Sequence, residues 1–237
     1  MKHVLRNLIR ASGYDIHRLA PAANPAFQLV QGLRNHDIDL VLDVGANAGQ
    51  FAKSLRLTGY KSTIVSFEPL SQAHAQLVLA ASGDANWHVG DRCAIGESYG
   101  SIEINVAGNS VSSSVLPMLE CHSSAAVGSA YVSKEATPMN RLDAVAAQYV
   151  SNARNPFVKI DTQGFEWQVL NGAPATLART RGLVIELSLV PLYSGQRLWR
   201  DIVDRLELEG FALWGIQPGF MDPRDGRTLQ VDAVFFR

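Results

Sequence analysis

Cysteine is scarce, a lopsided charge is absent and no long apolar run occurs, and each shortage excludes a class of protein. Only Cys93 and Cys121 are present. They show no C-x-x-C spacing and no neighbouring histidine cluster, so neither a disulfide framework nor a structural zinc site is expected. Two small thiols in a reducing compartment fit that usage, and a cytoplasmic location is the expectation. Lys and Arg number 21 against 22 Asp and Glu, a formal net charge of −1. A protein that binds nucleic acid by neutralising phosphates is visibly basic, and this one is not. No window approaches about 18 consecutive apolar residues, so no membrane-spanning helix is expected. The first ten residues are positively charged but lack the apolar run of a secretory leader. Val4, Leu5, Leu8 and Ile9 recur at helical spacing and predict a short amphipathic helix. Its apolar stripe is read as packing on the domain's own body, in preference to a weak contact with a membrane or partner surface.

What is present is an ordinary globular composition, 47% hydrophobic and 18% charged over 237 residues, ample for one large core. Pro21 and Pro25 mark a connector, and Phe27, Val30 and Leu33 suggest a helix beyond it. The first 38 residues therefore read as an N-terminal helical extension and residues 39–237 as the main domain. From Asp39 onward short apolar runs alternate with amphipathic segments. Strands are expected at Leu40–Val44, Thr63–Phe67, Trp87–Val89, Ser101–Ala107, Phe157–Ile160, Leu183–Leu187, Phe211–Ile216 and Val231–Phe236. Helices are expected between many of them. That alternation predicts an α/β fold with a mostly parallel sheet covered on both faces. The Ser-, Ala- and Gly-rich stretch from Gly108 to Ala136 has weak periodicity and is expected to be an irregular, mobile cover over a binding site.

Sheets of this kind bind ligands beyond the carboxyl ends of their strands. After the first strand comes Asp43-Val44-Gly45-Ala46-Asn47-Ala48-Gly49, where Gly45 and Gly49 permit a sharp turn and a close backbone approach to a ligand. Asn47 is placed to cap the helix that follows. The spacing is G-x-N-x-G, which departs from the G-x-G-x-x-G of dinucleotide folds and counts against a nicotinamide-dependent oxidoreductase. Glu68, about twenty residues on at the end of the second strand, is placed to accept hydrogen bonds from ribose hydroxyls. Together they favour an adenosine-type ligand. A non-catalytic adenosyl-ligand binding protein of the same fold stands as another alternative.

These residues carry a resemblance. The 43–49 run and Phe67-Glu68-Pro69 resemble the first two motifs of class I S-adenosylmethionine-dependent methyltransferases. Lys159-Ile160-Asp161-Thr162-Gln163-Gly164-Phe165-Glu166, continuing to Gly172-Ala173, is similar to the hallmark of the FkbM family. Arg141-Leu142-Asp143 and Glu186-Leu187-Ser188 are lesser echoes. The resemblance implies a Rossmann-like, seven-stranded, mostly parallel sheet with its last strand antiparallel. It also implies S-adenosylmethionine as cofactor and methyl transfer to a hydroxyl of a sugar, glycolipid or polyketide-like acceptor. Cofactor contacts are then expected from Asp43, Gly45, Asn47, Gly49 and Glu68, with Asp91 and Ala94 beside the adenine.

An unactivated hydroxyl needs a base as attack proceeds. Asp161, directly after a buried strand, points into the crevice and reads as general base, substrate-hydroxyl acceptor, metal ligand or helix cap. Glu186 in an apolar strand is costly to bury without a partner; it faces the crevice or is neutralised by Lys159, and the first is preferred. Glu166 reads equally as functional or structural. His122 offers a second base from the serine-rich segment, with Asp161 expected to carry more of the chemistry. Tyr193 is a candidate for the acceptor pocket. Asp161 with Glu186 supplies a conceivable divalent-metal pair, although no metal is expected.

Overall fold

The structure is a computed structural model and describes residues 7, 9–14 and 20–237. Val4, Leu5 and Leu8 of the N-terminal amphipathic stretch lie outside those residues. The connector ends at Asn24, whose Oδ1 accepts from the amides of Ala26 and Phe27 at 3.0 and 3.2 Å. With Pro25 at its first position, helix α1 (Pro25–Asn35) starts there. Strand β1 (Leu40–Val44), α2 (Gln50–Leu57), β2 (Thr63–Phe67), α3 (Ser71–Ala81) and β3 (Trp87–Val89) follow at their expected positions. Next come β4 (Ala94–Ile95), β5 (Gly100–Ala107), α4 (Glu120–Ala125), β6 (Tyr131–Asn140), α5 (Leu142–Val145) and α6 (Ala147–Asn152). The chain then runs through β7 (Pro156–Ile160), α7 (Glu166–Asn171), α8 (Pro174–Arg179), β8 (Gly182–Ser188), α9 (Trp199–Leu208), β9 (Ala212–Pro218) and β10 (Gln230–Phe236).

The main sheet has seven strands in the order β3-β2-β1-β7-β8-β10-β9. Only β10 runs antiparallel to its neighbours β8 and β9, the arrangement that the resemblance implied. Every residue of β1 and β7 is buried, which is why both read as continuous apolar runs and not as alternating ones. One face packs Leu42, Val158, Ile185 and Phe235 beneath Leu142, Leu170 and Leu206. The other packs Val41, Ile64, Phe157 and Val234 against Leu29, Val30 and Leu33 of α1. Helix α1 therefore shares the core of the sheet. Among the described residues no helix is long and apolar enough to cross a membrane.

The expectation of an irregular stretch from Gly108 to Ala136 is corrected in its middle, where α4 forms, and at its far end. Residues from Tyr131 onward form β6, which pairs antiparallel with β5 and parallel with β4 in a second, three-stranded sheet. Val132, Ser133, Lys134 and Ala136 are exposed, so the strand lacks the apolar alternation that would have marked it; its partner β5 supplies the ladder instead. The remainder is fastened to the main domain. Leu119 N–H donates to Leu192 O at 2.9 Å, Ser194 N–H to Pro117 O at 2.8 Å, and Tyr131 Oη to Leu116 O at 2.8 Å.

Leu33 is fully buried in α1 against the sheet. Leu33→Ala should lower the unfolding free energy of the whole domain by about 2–5 kcal/mol, the range for a buried leucine whose cavity does not collapse. Urea denaturation followed by tryptophan fluorescence measures it. An unchanged midpoint would mean that the N-terminal helix contributes nothing to the sheet's stability.

Candidate functional site

The chain leaves β1 through Gly45 at φ +75°, and a side chain there would place its Cβ 1.8 Å from the carbonyl oxygen of Asp161. Only glycine lets the turn pass so close to the end of β7. Asn47 follows at φ +45°. It does not cap α2 as expected: Gly49 occupies the N-cap without a side-chain bond. Asn47 Oδ1 instead accepts from Ala48 N–H at 2.8 Å and from Gln50 Nε2 at 3.1 Å, which stiffens the turn itself.

Beneath the turn lies a buried ion pair. Asp43 and Lys159 are direct partners across the parallel β1/β7 register, with Lys159 Nζ 3.2 Å from Asp43 Oδ1. The same ammonium donates to Gly45 O at 2.7 Å and Val44 O at 3.3 Å, and stands 3.7 Å from Asp161 Oδ2. Burial opposes its charge, but Asp43 and Asp161 outweigh burial and hold its pKa above the usual lysine value. Asp43, expected to touch the cofactor, is fully buried behind the turn. It also accepts from Ser66 Oγ at 3.1 Å. That assignment is corrected to an anchor for Lys159.

A cavity of about 480 Å³ runs across the carboxyl ends of the strands over this turn, within the usual range for small-molecule sites. Gly45, Asn47, Glu68 and Ala94 of the expected cofactor set line it. Glu68 is fixed by two backbone donors, Asn47 N–H to Oε2 at 2.8 Å and Leu70 N–H to Oε1 at 2.9 Å. Burial pushes its pKa up to about 7, against those two bonds. Each oxygen keeps an acceptor lone pair for a ligand hydroxyl. Gly49 lies one turn behind the wall, its Cα side closed by the Trp87 ring. Asp91 is exposed and off the wall, because the chain swings outward after β3 before Cys93 and Ala94 re-enter the core.

The opposite part of the cavity collects Asp161, Glu186 and Asp232 around Lys159. Asp161 and Glu186 were expected to face the crevice and they do. Gln163 Nε2 donates to Asp161 Oδ1 at 2.9 Å and to Glu186 Oε2 at 2.8 Å. Gln230 Nε2 adds a second donor to Glu186 Oε2 at 2.7 Å. Burial, then the charges of Asp161, Glu166 and Asp232, hold Glu186 well above the usual carboxylate range. Asp232 lies opposite Glu186 in the antiparallel β8/β10 register, and burial followed by repulsion from Asp161 raises it to about 6. Sequence reasoning missed Asp232, although an acid inside Val231-Asp232-Ala233-Val234 carries the signal that singled out Glu186. Gln163 and Gln230 are uncharged and gave no comparable signal.

Glu166 resolves to a structural brace. It is buried at the start of α7 and its Oε1 accepts from Thr162 N–H at 2.8 Å and Gly164 N–H at 3.2 Å. Burial raises it to about 7. His122 is corrected as well. Its ring is buried between Tyr193 and Phe220, at 5.0 and 5.3 Å between centroids, and is absent from the cavity wall. Nε2 faces Ser112 Oγ at 3.2 Å, and burial pushes its pKa down to about 4. Tyr193 is likewise buried behind the wall, reaching the site through its Oη, 2.7 Å from Gln163 Oε1. Among the described residues no group of three or more His, Cys, Asp or Glu is arranged to hold a metal ion.

Residues 43–213 match the family described as "Methyltransferase FkbM domain". Among curated proteins none matches the chain. Several solved structures superpose loosely. An rRNA methylase from Streptococcus thermophilus is 14% identical with a TM-score of 0.46, covering 93% of this chain and 99% of its own. The 1,6-didemethyltoxoflavin-N1-methyltransferase from Burkholderia thailandensis, bound to S-adenosylhomocysteine, is 12% identical with a TM-score of 0.48, covering 90% and 77%. A TehB-like SAM-dependent methyltransferase from Corynebacterium glutamicum is 14% identical with a TM-score of 0.42, covering 100% and 95%.

Glu166 makes stability fall with pH. Its pKa rises from 4.5 to about 7 on folding, so the folded state holds the proton more tightly. Its contribution is complete below about pH 4.5 and is lost as pH climbs through about 7. Glu166→Gln keeps an oxygen for the Thr162 and Gly164 amides but cannot ionise. It should therefore gain stability over the parent between pH 5 and pH 8, by up to about 3 kcal/mol. His122, depressed to about 4, slopes the opposite way at lower pH but is common to both proteins and cancels in the difference. Urea unfolding of both at the two pH values checks it, and parallel pH profiles would overturn it.

Proposed function

This chain belongs to the FkbM family of methyltransferases, and from that premise we propose that it methylates a hydroxyl oxygen of a sugar, glycolipid or polyketide-like acceptor. Its cofactor is S-adenosylmethionine, which supplies a methyl group activated on a positively charged sulfur. The cavity's residues fit that compound. A glycine turn and a carboxylate, Glu68, line the same wall, and Leu70, Ala94, Ile95 and Ile104 add an apolar surface beside them. In this reading Gly45, Asn47 and Glu68 hold the adenosyl and ribose portion, while Ala94 and its neighbours cover the adenine. Gly49 shapes the turn.

The observation that carries the proposal is the charge of the walls. Among the described residues, Glu68, Asp161, Glu186 and Asp232 line the cavity against a single lysine, Lys159, and no arginine. Such a wall complements a cation and disfavours a phosphate, which would lie desolvated beside carboxylates. A neutral hydroxyl acceptor suits it better than a nucleic-acid backbone. Asp161 is the group in position to take the hydroxyl proton, since Lys159 and Gln163 fix its carboxylate at the end of a rigid strand. The cover segment contributes Ser110, Val111, Ser113, Ser114 and Val115 to the wall, and excluding water while aligning the oxygen is most of what this reaction needs from a protein.

Incubation with methyl-labelled cofactor and a panel of neutral glycosides, lipids, amines and RNA, read by product mass, tests the reading. An oxygen-linked methyl on a neutral acceptor is expected; label entering only amines or RNA overturns it. Glu68→Ala should weaken S-adenosylhomocysteine binding, measured by calorimetry, by roughly 1–3 kcal/mol. Asp161→Asn should leave that binding nearly unchanged while lowering kcat by about 10²-fold or more. Near-full turnover of Asp161→Asn would remove Asp161 as the base.

A further inference from the structure

We infer that Gln163 is the positioning residue of the proton-accepting site, a single amide that sets the Asp161 and Glu186 carboxyl groups in fixed and unequal roles toward the acceptor hydroxyl. The inference rests on the methyl-transfer reading above. Both hydrogens of the Gln163 amide are used, one on Asp161 Oδ1 at 2.9 Å and one on Glu186 Oε2 at 2.8 Å. Its Oε1 accepts from Tyr193 Oη at 2.7 Å. A flipped amide would turn that oxygen onto two carboxyl groups, so one orientation is enforced. The main chain is held as firmly: Gln163 sits at φ +54°, a left-handed conformation that residues other than glycine adopt only under strain. Its carbonyl accepts from Ser114 Oγ of the cover segment at 2.6 Å. A strained residue tied to β7, β8, the loop after β8 and the cover is held there by its partners, and such strain gathers at functional positions.

The amide makes the two carboxyl groups unequal. Glu186 Oε2 receives N–H donors from both Gln163 and Gln230. A proton on Glu186, a residue of the cavity wall, is therefore confined to Oε1, which has no hydrogen-bond partner among the described residues. Burial and the surrounding Asp161, Glu166 and Asp232, offset in part by Lys159, favour that protonated form. Glu186 then presents an O–H toward the acceptor, while Asp161, 3.7 Å from the Lys159 ammonium, presents an accepting oxygen. Without the amide between them the two groups would be free to close up and share one proton, as adjacent carboxyls do.

The test uses the full chain saturated with S-adenosylhomocysteine, labelled with carbon-13 at glutamate side-chain carboxyls. The Glu186 signal is assigned by its loss in Glu186→Gln. Gln163→Gly accepts the left-handed backbone without strain, so the variant should fold and keep S-adenosylhomocysteine affinity within about threefold. Its Glu186 titration should nevertheless rise by about half a pH unit or more, because a donor to the ionised form is gone. On an acceptor found by the labelling panel, kcat should drop by about 10²-fold with KM changing less. Gln163→Glu should recover part of the lost activity as pH falls, since its protonated form restores one of the two donors. An unmoved Glu186 titration in folded Gln163→Gly overturns the inference, as does a variant that loses cofactor binding and stability together, which would mark Gln163 as structural only. Failure of the methyl-transfer reading shows separately, as an unmodified panel with the parent protein, and leaves the carboxyl titration to decide.

Discussion

Lys159 and Asp43 face each other across the two central strands, 3.2 Å apart and withdrawn from solvent, and the glycine turn and the Asp161 carboxylate are both referenced to that contact. The ammonium reaches past its partner to the carbonyls of Val44 and Gly45, so the backbone turn that approaches the ligand is held from below by a charge. A buried ion pair is a poor source of net stability, but losing one member leaves an uncompensated charge and costs about 3–5 kcal/mol. What the pair supplies is position. Lys159 also meets Asp161 from beneath at 3.7 Å, which leaves that carboxylate's outer side to the cavity.

The acidity of the cavity is a strain that the fold sustains for its ligand. Glu68, Glu186 and Asp232 are all pushed above their ordinary pKa by burial, so full ionisation of the three is unfavourable. A bound cation relieves that repulsion, because its charge replaces the solvent that burial removed. On the proposed reading, affinity for the sulfonium and release of the neutral product follow from one electrostatic arrangement. The same arrangement explains why the site is poor in cations of its own, with Lys159 already engaged by Asp43.

The cavity's walls come from parts of the chain that are far apart. Pro25, Ala26 and Leu29 of α1, the turn after β1, the cover from Ser110 to Val115 and the end of β9 at Gln217 and Pro218 all contribute. Gln217 Nε2 bonds the Pro25 carbonyl at 2.9 Å, joining α1 to an edge strand of the sheet. The helix ahead of β1 therefore closes one side of the site as well as one side of the core.

The strands of the main sheet, the helices between them and the glycine turn were legible in the sequence, because burial on both faces writes continuous apolar runs into its central strands and because only glycine tolerates the turn's backbone. The family hallmark was legible too, since Asp161, Thr162, Gly164 and Glu166 form one local unit: Glu166 reaches back only four residues to brace the loop that aims Asp161. Tertiary structure decided the rest. Antiparallel pairing of β8 with β10 sets Asp232 against Glu186, and no local pattern specifies that register. Asp43 and Asp161 both stand at the carboxyl ends of apolar strands, yet one is sealed behind the turn and the other lines the cavity, because Asp43 lies inside β1 opposite Lys159 whereas Asp161 lies one residue beyond the end of β7. His122 sits in a polar stretch and still became buried, once that stretch packed on Tyr193 and Phe220. Local sequence carries propensity and backbone permission; which side chains meet depends on how distant strands register, and that is settled only when the sheet closes its core.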